Sequence, residues 1–384
     1  MTEGKNPTRM IFLDNLKILL TILVIMHHTM ITYGAAGAWY FRDPNTDSLT
    51  SIFLSILAGI NQAFFMGLFF FISTYFVPGS YNRKGPRKFL KDRFIRLGIP
   101  YLIYISTVSP IMIYLLIYSS EISFFEFYAS YFQSAERIGE YIGSNGPLWF
   151  ILTLMFFAVF YSLWHQIFKK NSEIETVKKP PSNILLVIII IIMSVLTFLM
   201  RLMFPFIAGH NIFSIQLAFV VQYIIMLILG VVAYQRDWFR NISDKQGKIW
   251  LIIALLSIIP MLMVALPLLL GEDITPLTGG LHWQAFAYAL WESIFCIGMS
   301  FGLITLFRKK WNIQGKATKT VSANAYTMYL IHAPVLVGIS VLFVVVLIFA
   351  LVKFVIVLAI VLLLCLLISH YFLRRIPGTK RVLG

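Results

Sequence analysis

Two adjacent histidines, His27 and His28, lie well inside the first apolar stretch of the chain, and Lys17 precedes His28 by eleven residues. An imidazole in hydrocarbon is costly to keep, so an ionisable side chain there marks a functional site. Eleven helical residues turn through about 1100° and rise roughly 16 Å, which returns Lys17 and His28 to nearly the same face. His27 is offset from His28 by about 100° and faces elsewhere, as a packing or supporting residue. One face therefore carries a cation at the membrane boundary and a proton-transfer group near the midplane. That pairing suits a site that anchors an anionic ligand in the cytoplasm and performs chemistry inside the membrane.

Other residues extend the set. Arg93 and Arg96 stand three apart at the start of a later apolar stretch, on one helical face. Two forked guanidinium groups so placed suit a bound phosphate. The nearby Arg83, Lys84, Arg87 and Lys88 read as ordinary basic loop residues. Glu292 lies inside an apolar segment with no charged neighbour in sequence, so it should face the bundle interior and have a partner. It can orient a histidine, contact an acceptor hydroxyl, or make a structural hydrogen bond. His332 ends a segment in which Ser322, Tyr326 and Tyr329 share a face, and it reaches a depth similar to that of His28. A second deep imidazole points either to a polar cavity or to a structural core histidine. His165, His210, His282 and His370 lie near segment ends, where solvation is easy, and receive no function.

The elements that must position these groups are membrane spans. The chain has 384 residues, of which 59% are hydrophobic and 12% charged, against about 25% charged in a soluble domain. At roughly 20 residues per crossing, the apolar runs make about ten helices: 11–33, 52–77, 94–118, 147–168, 184–203, 212–234, 249–270, 283–307, 321–350 and 351–372. The ninth and tenth meet near Lys353 without a polar loop between them. Of the 31 Lys and Arg, all but Arg42, Arg137, Arg201 and Lys353 fall in six clusters on alternate connections or termini. This positive-inside pattern predicts an all-α integral membrane protein, a single domain over residues 1–384, with both termini cytoplasmic. It also accounts for the net charge of +15 without nucleic acid.

The opposite loops are acidic, with Asp43, Asp47, Glu121, Glu126, Glu136, Glu140, Glu272 and Asp273. The aromatic stretch from Glu121 to Tyr141 reads as an amphipathic helix in the outer interface, whose rings serve as an anchor or stack on a sugar. The segment from Lys169 to Pro181 is a polar inner linker. Ala36-Gly37-Ala38 resembles a signal-peptide cleavage site, but the preceding apolar run is long, and the first span is expected to remain as an anchor. Cys296 and Cys365 fall within spans as packing residues. No HExxH, P-loop or GxSxG pattern occurs, so no metal is expected. No fixed repeat or matched pair of broken helices marks the inverted halves of a transporter.

Several of these segments together resemble the acyltransferase-3 superfamily of multispanning membrane acyltransferases. Asp14-Asn15-Leu16-Lys17, ten residues and then His28 are similar to its first-span motif of a basic residue, ten residues and a catalytic histidine. Arg93-Phe94-Ile95-Arg96 resembles its RxxR motif. Phe69-Phe70-Phe71-Ile72-Ser73, Gly146-Pro147-Leu148-Trp149-Phe150 and Tyr329-Leu330-Ile331-His332 are similar to segments typical of these proteins. Lys17 departs from the commoner arginine, keeping the charge and losing the bidentate fork. No appended extracytoplasmic hydrolase-like domain, present in some members, is expected, so acceptor recognition would fall to the spans and short loops.

The resemblance implies a multi-pass cell-membrane enzyme that moves an acyl group, acetyl or succinyl, from cytoplasmic acyl-coenzyme A to a hydroxyl outside the membrane, commonly on a carbohydrate of the cell envelope. Lys17, Arg93 and Arg96 would hold the nucleotide phosphates, and the pantetheine arm would bring the thioester to His28. His28 would act as general base or form an acyl-imidazole, with Glu292 and His332 as further catalytic groups. The partners expected are membrane lipids, acyl-coenzyme A and an extracytoplasmic glycan or other hydroxyl acceptor. Two rival readings are a proton-coupled transporter using Glu292, His28 and His332 as a relay, and a lipid-binding or sensory membrane protein.

Overall fold

A computed structural model describes residues 9–118, 122–133, 145–168, 179–206, 209–212, 214–271 and 273–383. Among them, ten helices are long and apolar enough to cross a membrane. They are α1 (Ile11–Thr32), α2 (Ser48–Tyr75), α3 (Val77–Ile117), α4 (Gly146–Phe168), α5 (Asn183–Met203), α6 (Leu217–Gln235), α7 (Asp244–Leu270), α8 (Trp283–Lys310), α9 (Lys316–Leu342) and α10 (Ala350–Arg375). The protein is a helical multi-pass membrane protein. Glu121, Glu136, Arg137, Glu140, Tyr141, Glu272, Lys5 and the greater part of the 169–181 linker lie outside the described residues.

The most buried span is α8, and its sequence explains its position. Gly298 and Gly302 are four apart, and a methyl group on either would meet α7: the Trp250 carbonyl at 2.6 Å from the first, Leu251 Cβ at 2.6 Å from the second. In a membrane, where lipid competes for apolar contact, such small-residue faces allow close helix approach and dense packing. Around α8 stand α7, α5 and α1, and α1 also packs on α9, α10 and α2. The Ile- and Leu-rich outer faces of α5, α7 and α10 are left exposed on the bundle.

The structure corrects several expected boundaries. The basic stretch from Arg83 to Arg96 is helical and continuous with α3, interrupted by a kink at Gly85 (φ +71°) before Pro86. Asn211–Ile212 and Ile215–Gln216 are two short antiparallel strands that pair Asn211 with Gln216, so α6 begins at Leu217. The ninth and tenth spans are separated by an apolar turn over 343–349, whose lack of polar residues hid it in the sequence. The interfacial helix runs over Phe124–Gln133. Ser123 caps it: its backbone N–H donates to Glu126 Oε2 at 3.0 Å, and the Glu126 N–H donates to Ser123 Oγ at 3.4 Å.

Prolines shape α3 beside the site. Pro100 has no N–H for the carbonyl of Arg96 four residues earlier, and Tyr326 of α9 donates its hydroxyl to that carbonyl at 2.5 Å. The same exchange recurs at Pro110, where Tyr128 donates to the Ser106 carbonyl at 2.8 Å. Both prolines lie among π-helical turns, which place successive side chains differently from a regular α-helix.

Candidate active site

The N-terminal end of α1 is fastened to the connection between α8 and α9. Asn15 Nδ2 donates to the Trp311 and Ile313 carbonyls, Gln314 Nε2 donates to Asn15 Oδ1, and the Phe12 N–H donates to Asn312 Oδ1. This fixes the rotation of α1 and hence where its functional face looks.

At that end Lys17 Nζ sits 3.8 Å from Asp14 Oδ1 and 4.6 Å from the Phe76 ring centroid. Arg96 is close enough for its charge to act on both Lys17 and Arg93. Arg93 lies over the Phe89 ring at 5.3 Å. Among the described residues no carboxylate reaches ion-pair distance of Arg93 or Arg96. Three cations thus converge with only the Asp14 carboxylate within 4 Å of any of them. Such a cluster favours a multiply charged anion.

At the other end of α1 the two histidines part, as the register requires. His27 faces α2, stacked on Phe65 at 5.1 Å with Asn61 Nδ2 3.4 Å from its Nδ1. His28 faces α9, and its Nδ1 lies 3.0 Å from Nε2 of His332. His332 is fully buried, whereas His28 keeps some exposure. His332 Nδ1 is 2.5 Å from the Tyr329 carbonyl.

These contacts set the protons. A carbonyl only accepts, so His332 Nδ1 must carry hydrogen and donate to Tyr329. The neutral ring then has a bare Nε2, which accepts from His28 Nδ1–H. Nε2 of His28 is left with its lone pair, the state a base needs.

His28 is four residues from the end of α1 at Thr32, about 6 Å of rise, and so lies toward the far end of the helix instead of its middle. A loop shields it there in place of depth. Residues 33–47 fold back over the end of α1, burying Tyr33, Ala35, Trp39 and Asp43. Trp39 stacks on His28 with centroids 4.0 Å apart and planes at 16°.

The loop is held by backbone bonds from Asp43 N to Thr32 O (2.8 Å) and Ala35 N to Met30 O (2.8 Å). Arg42 donates to the Ala35 and Gly37 carbonyls, and Lys353 Nζ meets Asp43 Oδ2 at 2.7 Å. At the loop's end Asp47 caps α2, and hydrogen bonds from the Thr50 side chain and backbone hold its carboxyl below the usual range.

The wall between the two ends comes from α9 and the turn before α4. Tyr326, Tyr329 and His332 are spaced three apart on α9, touching in turn Arg96, Pro147 and His28. Tyr329 donates its hydroxyl to the Pro147 carbonyl. Gly146 is required there: its φ is +44°, and a methyl group would lie 2.2 Å from Tyr40 Oη and 2.7 Å from Tyr104 Oη. Those two hydroxyls are 3.1 Å apart.

Glu292 is not brought to the histidines. Its Oε2 pairs with Arg201 Nη2 at 2.7 Å, fully buried, and the guanidinium lies 5.0–5.5 Å from the rings of Phe206, Phe219 and Tyr288. Among the described residues no hydrogen bond or ion pair links Glu292 to His28 or His332. Trp39, Asp43, Lys353 and Arg201 were missed in the sequence, although a signal existed. Arg42, Arg201 and Lys353 are three of the four basic residues outside the charged clusters, and each has a partner inside the fold.

Residues 10–370 match the sequence profile of a family described as an acyltransferase domain. The chain belongs to the acyltransferase-3 family. It is therefore a membrane acyltransferase, transferring groups other than amino-acyl groups, and the transporter and sensor readings fall. No curated protein and no solved structure gives a significant match. Within this acyltransferase-3 fold Lys17 and His28 lie toward opposite ends of one face of α1, the first beside the basic cluster and the second beside His332.

Proposed function

We propose that this protein moves an acetyl or succinyl group from acyl-coenzyme A, held on the basic side of the membrane, to a hydroxyl of a carbohydrate or similar acceptor on the other side. The basic side is the cytoplasm in this reading, following the distribution of Lys and Arg. The observation that carries it is the chain from the Tyr329 carbonyl through His332 to His28, which leaves His28 Nε2 free to take a proton.

Lys17, Arg93 and Arg96 bind the phosphates of the donor. The rise from Lys17 to His28, about 16 Å, is comparable with the reach of a pantetheine arm, so the thioester arrives at the imidazole. His28 Nε2 accepts the proton of the acceptor hydroxyl while its oxygen attacks the thioester carbonyl carbon. The C–S bond then breaks, and the leaving thiolate takes the proton from His28. His332 acts as a positioning residue by fixing the tautomer of His28. Glu292, through Arg201, ties α8 to α5 and α6.

Purified protein incubated with labelled acetyl- and succinyl-coenzyme A and a panel of envelope glycans tests the reading. Label should pass to a glycan with the wild type and not with His28→Ala. Label that stays wholly on coenzyme A for every donor and glycan would overturn it.

A further inference from the structure

The loop over His28 carries a polar group with no partner. Trp39 is 7% exposed, and its indole N–H has no hydrogen-bond partner among the described residues. A donor-only group buried without an acceptor is a standing deficit; the Trp238 and Trp291 N–H groups share it, and Trp39 differs in its place against His28. Its N–H lies in the plane of a ring stacked at 4.0 Å on His28. The same ring is nearly parallel to His332, 6.1 Å away at 16°. The indole thus runs alongside the hydrogen-bonded imidazole pair, at the one imidazole that keeps an accessible edge.

The loop that carries Trp39 is anchored on both sides of it. Two backbone bonds to α1, two from Arg42 and the buried Lys353–Asp43 pair surround it within ten residues. Preorganised donors of this kind stabilise charge that develops during a reaction, because they need not reorient as it forms.

We infer that the Trp39 indole N–H donates to the acyl carbonyl oxygen and holds the oxyanion formed during transfer. The acceptor oxygen bonds to the carbonyl carbon, its proton passes to His28 Nε2, and the C=O π pair moves onto the oxygen facing Trp39. Collapse restores the carbonyl, breaks the C–S bond and sends the proton to the departing sulfur. The inference rests on the function proposed above and adds a catalytic residue to it.

The test replaces Trp39 by benzothienylalanine, which keeps the bicyclic stack and removes only the N–H, with Trp39→Phe as a second variant. The first readout is the infrared carbonyl stretch of acetyl- and succinyl-coenzyme A, each carbon-13-labelled at the thioester and bound to purified protein. The wild type should lower that frequency relative to solution, and both variants should restore it. The second readout is transfer to the acceptor found with the glycan panel, which should fall about 10²–10³-fold, the range for loss of one oxyanion donor. A folded benzothienylalanine variant with either the wild-type frequency or the wild-type rate overturns the assignment. With His28→Ala inactive in the same assay, that result leaves the acyltransfer reading standing. Failure of both donors to bind the wild type sinks the reading itself, and the inference with it.

Discussion

Lys353 and Asp43 are 310 positions apart in the chain, yet Nζ and Oδ2 meet at 2.7 Å with neither side chain exposed. The pair joins the start of α10 to the loop that seats Trp39 on His28, so a charge contact remote from the histidines governs how the site is roofed.

Breaking one side of a buried pair leaves an uncompensated charge, which costs about 3–5 kcal/mol, whereas replacing both partners by apolar groups is often close to neutral. Lys353→Met should therefore lower unfolding stability in detergent by that amount, and Lys353→Met with Asp43→Leu should recover most of it. Equal stability of the single variant and the wild type would show that the pair contributes nothing.

Among the described residues, no carboxylate lies within ion-pair distance of the Arg93 and Arg96 guanidinium groups. Arg→Ala at either should weaken coenzyme A binding by about 1.5–3 kcal/mol, the range for a hydrogen bond to a charged group. Titration calorimetry on the folded variants measures this, and unchanged affinity in the double variant would return both to the general basic surface.

His332 sets the tautomer of His28 without touching the acceptor in this account. His332→Ala should slow transfer by roughly 10²–10⁴-fold, the scale on which loss of a base or of its orienting partner acts. Its affinity for coenzyme A should be unchanged, and His332→Gln, whose carbonyl can accept from His28 Nδ1–H, should recover part of the rate. A loss seen only in affinity would contradict the assigned role.

Much of this site was legible in the sequence because its parts obey helical arithmetic. Lys17 and His28 share a face by register, His27 diverges by one residue, and Arg93 and Arg96 recur at three. Ser322, Tyr326 and Tyr329 were likewise grouped by spacing. The direct bond between His28 and His332 was beyond that arithmetic, since it joins helices 304 positions apart. The roof over His28 was hidden too, because residues 33–47 have no period to read and owe their place to long-range pairs. Glu292 was rightly expected to have a partner, but its partner is Arg201 on α5, and only packing decides which of two neighbouring helices supplies it.

The proposed sidedness of the bundle rests on the distribution of Lys and Arg. Cysteines placed at the exposed positions Asn45 and Thr275 should react with an impermeant reagent added outside cells, and one at Lys316 should react only after permeabilisation. The opposite pattern would put the basic cluster outside, away from the compartment of the proposed acyl-coenzyme A donor.

The central claim, that His28 is the base and His27 a packing residue, is tested most directly by acyl transfer from the two single alanine variants at matched amounts of folded protein. General-base assistance contributes about 10²–10⁴-fold in rate, so His28→Ala should fall by that much with coenzyme A affinity retained, while His27→Ala should keep most of its turnover. Transfer abolished in His27→Ala and preserved in His28→Ala would contradict the account.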